Sequence, residues 1–183
     1  MDTTWRTSLW RQYGRAIDML EHAMRDCPDE LWAESMWEVK PNHPGVRPVD
    51  GSGGGGGAPR VDNGSIQVFS AFWYIAYHAL FFLDYHLSGA AAEGFAPPAP
   101  FSSAEHEAGI LPERVYSRAE LQNYLGHNRH KCKATIEALT DEQARRPTPR
   151  GMPFGELLLL SVCHVQEHGA QLNMFIGQRS GSA

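Results

Sequence analysis

From Phe72 to Tyr85 the chain reads Phe-Trp-Tyr-Ile-Ala-Tyr-His-Ala-Leu-Phe-Phe-Leu-Asp-Tyr. Such a segment is apolar on nearly every side of a helix, and a helix of that kind has to be buried because no face is left for water. The longest apolar run, around Ala71 to Leu83, is broken by Tyr and His and is too short to span a bilayer. It therefore predicts the buried helix of a soluble bundle, with no membrane partner, and the rest of the chain has to supply apolar faces to cover it.

Three other segments have the pattern to do so. From Trp5 to Arg25, Leu9, Tyr13, Ala16, Ile17, Leu20 and Met24 recur at spacings of three and four, which puts them on one helical face. Pro28 then stops the helix. The aromatic helix itself is expected from Ser65 to Leu87, ahead of Ser88-Gly89. A third helix is expected from Ser117 to Leu139. Ser117 and Glu120 form a Ser-x-x-Glu capping box there, in which each side chain satisfies the other's free backbone amide. A fourth runs from Pro153 to Gln178, and proline is tolerated in a first turn because that amide has no helical partner. The fold class expected is all-α, a four-helix bundle with long connecting loops, in one domain covering residues 1–183.

Between the helices, Pro41 to Asn63 contains an unbroken Gly53–Gly57 run, the composition of a flexible loop. A phosphate-cradling loop would end in Gly-Lys-Ser/Thr, but Ala58-Pro59 follows instead. Gly89 to Tyr116, with Pro97, Pro98 and Pro100, reads as a long crossing segment. Cys27–Ala33 and Leu139–Arg145 echo one another: a helix end, an Asp or Thr cap, then a short helical turn. A duplicated helix pair and chance similarity both explain the echo.

Lys and Arg number 16 against 21 Asp and Glu, a formal charge of -5, which argues against a nucleic-acid partner. Cys27, Cys132 and Cys163 are odd in number and irregular in spacing, so they read as reduced thiols in a cytoplasm. The first ten residues lack an apolar signal core.

The chemistry resides in the histidines. His164 and His168 are four apart, so they sit on one face, one turn from each other, a spacing that lets two imidazoles converge on one ion. Leu157, Ser161, Leu172 and Phe175 fall near the same stripe, which aims the pair into the bundle. Ordinary histidines fit the spacing too. A zinc-protease motif would place Glu directly after the first histidine, where Val165 stands. His78 lies in the middle of the aromatic helix, where water is expected to be scarce and the cost of desolvation calls for a partner. It is either a satisfied core histidine or a third nitrogen ligand. Three protein ligands with an open position is the arrangement of catalytic rather than structural zinc.

Other histidines are weaker candidates. His127 and His130 have Asn128, Arg129 and Lys131 beside them and read as a solvated face. His86 is about 80° round the helix from His78. His22, His43 and His106 lie in weakly apolar or loop contexts. Cys163 points about 100° away from His164, so it is expected to pack rather than ligate, and Glu167 is turned off the site face by the same angle. No general base or other catalytic side chain is read from the sequence, and no Gly-x-Ser-x-Gly elbow is present.

His78 in a mid-chain aromatic helix, the late His164-x-x-x-His168-x-x-Gln171 helix, and Leu111–Leu121 on the approach to helix three together resemble the DinB-like, or DinB/YfiT-like, family. The resemblance covers most of the chain. It implies an up-down-down-up bundle holding a divalent metal ion, zinc or nickel, on His78, His164 and His168, with dimers frequent and a homodimer expected. It also implies a metalloenzyme, with thiol S-transfer using a low-molecular-weight thiol as the favoured class. Metal-dependent hydrolysis and a non-enzymatic, stress-associated metal-binding bundle are the alternatives.

Overall fold

The computed structural model describes residues 3–39, 67–91, 93–103 and 111–180. Five α-helices form among them: α1 (Thr3–Asp26), α2 (Phe72–Leu87), α3 (Arg118–Ala138), the short α4 (Asp141–Arg145) and α5 (Phe154–Ser180). Among the described residues, extended backbone contributes only the isolated bridges Ser35–Ala71 and Pro147–Pro153. The chain is all-α, as its periodicity predicts. The glycine-rich segment 41–63, with His43, and also His106, lie outside the described residues.

The apolar face read in α1 is the buried face: Leu9, Tyr13, Ala16, Ile17, Leu20 and Met24 are all in the core. α5 packs on α1 and α2, and α3 packs on the same two helices. Polar contacts fix the directions. Arg118, opening α3, donates to Met24 O at 2.6 Å, while Arg6 reaches Glu137 O at 3.3 Å, so α1 and α3 are antiparallel. Tyr13 Oη donates to Leu158 O and Asn173 Nδ2 to Met19 O, so α1 and α5 run together. The rings of Trp73 and Tyr77 pack against Tyr116, before α3, and Lys131 reaches Ser88 beyond α2, so those two also run together. The order is up-down-down-up.

α2 begins at Phe72, not near Ser65, which lies outside the described residues. Gln67–Ser70 is a 3-10 turn. Gln67 accepts from Val39 N at 3.0 Å and donates to Val39 O at 3.1 Å, and Ser70 Oγ donates to Trp37 O at 2.7 Å. Those side chains tie the segment to 35–39, and this tertiary pairing overrides its helical pattern.

The Ser117–Glu120 capping box forms as expected. Arg114 grips the same carboxylate at 2.6 and 3.1 Å and holds it down to about 2. The echo is realised unequally. Thr140 and Gln143 make a second capping box ahead of α4. Asp29–Leu31 is a 3-10 turn with Pro28 at its cap position and no side-chain cap, and Asp29 pairs instead with Arg118 at 2.7 Å.

One polar knot sits in the core. Asp84 is 1% exposed and accepts from Tyr124 Oη at 2.9 Å and from Lys131 Nζ. Asn128, expected on a wet face, is fully buried and donates to Leu80 O at 3.0 Å.

Candidate metal centre

His78 comes from the middle of α2, and His164 and His168 from one face of α5. Antiparallel packing of those helices brings them opposite each other. Nε2 of His164 lies 3.3 Å from Nε2 of His78 and 3.2 Å from Nε2 of His168. One ligand nitrogen from each ring falls within 4.8 Å of the others. Nitrogens about 2.0–2.1 Å from one tetrahedral ion stand about 3.3–3.4 Å apart, so the observed edges suit a zinc-sized ion.

Electrostatics agree with the geometry. Burial, then the neighbouring His168 and His78, push His164 down to about 2. Burial, then His78, bring His168 down to about 4, against the opposing hydrogen bond to Gln171. Both rings are neutral near pH 7, the form that ligates metal. Gln171 Oε1 lies 2.8 Å from His168 Nδ1. An amide oxygen can only accept, so Nδ1 carries the proton and Nε2 keeps its lone pair for a ligand position. Nδ1 of His164 is buried with no partner among the described residues, and that ring is positioned by packing beside Phe82. Gly169, next to His168, lets α5 close on α1: a Cβ there would meet Met19 Cγ and Sδ at 3.2 Å.

His78 and His164 line a cleft of about 590 Å³. All three histidines are half-buried, so His78 is not sealed from solvent as its apolar flanks suggest. The cleft lies over the groove between α2 and α5, which corrects two further expectations. Cys163 is exposed on the cleft wall rather than packed, and Glu167 lines the same wall. A rotation of about 100° from His164 or His168 turns a side chain off their shared face but leaves it on the wall of the cleft between the two helices.

Arg150 and His86 complete the lining with Phe82 and Leu160. Arg150 Nη1 lies 2.9 Å from His86 Nε2. The guanidinium can only donate, so that nitrogen accepts and His86 is neutral. Burial, then Arg150, then His78 bring His86 down to about 4. His86 is not in the ligand group. His127 and His130 are exposed on α3, with His127 Nε2 3.8 Å from Asp84 Oδ1, and His22 is exposed on α1. Sequence reasoning missed Phe82 and Arg150. The turn residues Thr148-Pro149-Arg150-Gly151 signal a loop, but nothing in them signals the distant partner His86.

Three converging imidazoles, two of them lining a cleft, in an up-down-down-up bundle have the make-up of a divalent-metal centre. The family model of the DinB superfamily matches residues 12–172, a span that includes all three histidines. The chain belongs to the DinB superfamily. No curated protein and no solved structure matches it. Among the described residues, no helix is long and apolar enough to cross a membrane.

Proposed function

We propose that this chain is a metalloenzyme that holds a divalent ion, zinc or nickel, on His78, His164 and His168 and transfers the sulfur of a small thiol to an electrophile. The observation that carries the reading is the open cleft beside three converging Nε2 atoms, because a closed structural site would bury a fourth protein ligand instead. Bound there, the ion supplies Lewis acidity, which brings a coordinated thiol or water toward ionisation near neutral pH. The chain's own residues supply the rest. The three neutral imidazoles leave the ion its full charge, Gln171 fixes the tautomer of His168, and Phe82 and Leu160 present apolar surface to the thiol's carbon chain. In the overall reaction a carbon–sulfur bond forms at the electrophile, its leaving group departs with the bonding electrons, and the thiol proton passes to solvent.

Hydrolysis is the second reading, favoured by Glu167, whose carboxylate on the cleft wall could take a proton from water. One experiment separates the two. Metal-loaded protein is incubated with a chlorinated aromatic electrophile, with and without a small thiol. Thiol-dependent loss and a thioether product support transfer, whereas thiol-independent loss supports hydrolysis. Metal content near one ion per chain is required by both.

A further inference from the structure

Arg150 is presented to the cleft by a built turn. Gly151 N donates to Thr148 O at 2.9 Å, placing Pro149 and Arg150 at the two central positions, and Gly151 takes φ of 77°. The loop is cross-tied below that turn, where Thr148 N and Oγ1 both donate to Met152 O, and Phe154 N donates to Arg146 O at 2.9 Å. The guanidinium is therefore held on the wall of the cleft that His78 and His164 also line, steered by its bond to the buried His86.

Its partner is a neutral ring, whereas Arg25, Arg114, Arg118, Arg129 and Arg179 each pair with a carboxylate. Among the described residues no carboxylate pairs with Arg150, and Glu167 on the same cleft wall makes no ion pair with it. His86 accepts one of the guanidinium's five N–H bonds, so the planar fork keeps donors for an oxyanion. A guanidinium held by a ring nitrogen, with no carboxylate in ion-pair contact among the described residues, gives the cleft one anion-seeking end.

We propose that Arg150 anchors the carboxylate of a small substrate whose other end reaches the open side of the three-histidine site, so that the cleft selects carboxylate-bearing thiols or electrophiles over their neutral analogues. This rests on the metal-centre reading and adds the substrate class to it. Arg150 binds substrate directly, and His86 is a positioning residue.

The test uses cobalt-loaded protein and two probes, 3-mercaptopropionate and its neutral amide, in wild type and in Arg150→Gln. Calorimetry reads affinity, and the thiolate-to-cobalt absorption band reads coordination. A charge-assisted contact predicts that the acid binds wild type at least about tenfold more tightly than the amide. The preference should collapse in Arg150→Gln while both thiols still give the band. Equal binding of acid and amide to wild type, including no binding of either, overturns the proposal. So does a preference that survives in Arg150→Gln. If the acid preference depends on Arg150 but neither thiol gives the band, the anchor stands and the thiolate reading of the metal site falls.

Discussion

His168 donates its Nδ1 proton to Gln171, three residues further along α5, across 2.8 Å. That contact decides which nitrogen faces the ligand site, and outer partners of this kind typically govern metal affinity by about 10- to 100-fold. Gln171→Leu is expected to weaken zinc binding by that factor while leaving the helical circular dichroism signal unchanged. Unaltered affinity in a competition titration with a chromophoric chelator would remove Gln171 from the site.

Loading the site should stabilise the fold, since the unfolded chain cannot preform it. At free metal 100-fold above the dissociation constant the gain is about 2.7 kcal/mol, or about 5–10 °C in Tm for a domain of this size. Alanine at His78, His164 or His168 should abolish most of that shift. A His127→Ala, His130→Ala double variant and a His86→Ala variant should retain the metal. Full occupancy in His78→Ala, measured by elemental analysis, would break the three-histidine assignment.

Acid should destabilise the metal-free protein in a defined window. His86 and His168 are held near 4 and His164 near 2, against an ordinary 6.5. Below 6.5 the unfolded chain takes up protons that these folded rings refuse, so stability rises with pH. Their full contribution is present above 6.5 and is lost as pH falls toward 4, and further for His164. Each ring contributes at most about 1.4 kcal/mol per pH unit. Urea midpoints at pH 7.5 and 5.5 should converge in His164→Phe relative to wild type. Equal acid sensitivity in both would contradict the burial argument.

Ser117→Ala should cost about 1 kcal/mol, because the free amide of Glu120 loses its acceptor. An unchanged denaturation midpoint would show that Arg114 and Glu120 fix the helix start without the serine.

Asp84→Ala should cost about 2–3 kcal/mol, since it strands Tyr124 and the half-buried Lys131 without their acceptor. Metal affinity should stay near the wild-type value, because the knot lies on the α3 side of α2. A loss under 0.5 kcal/mol in urea, on the order expected of an ordinary surface substitution, would mean the knot adds little.

What the sequence discloses follows from locality. The periodic faces, the Ser117 box and the three histidines are all read within single helices, where residue spacing fixes direction. Long-range contacts resist such reading. Gln67 pairs with Val39 and thereby delays α2, Asn128 turns inward because Leu80 offers a carbonyl, and Arg150 finds His86 across 64 positions of chain. The cleft-facing positions of Cys163 and Glu167 escape the sequence for another reason. Angles about one helix say which way a side chain leaves the axis, but not that a cleft opens between two helices.

His78 and His164 stand 86 positions apart in the chain. A high-affinity ion therefore cannot be gathered by any one helix, however early that helix winds. The triad exists only after α5 has come down beside α2, a non-local closure of the sort that slows folding. An optically active ion such as cobalt would then act as a clock on the late stage of assembly. Its spectrum would stay dark while helical content grows and would light up only when the last helix docks.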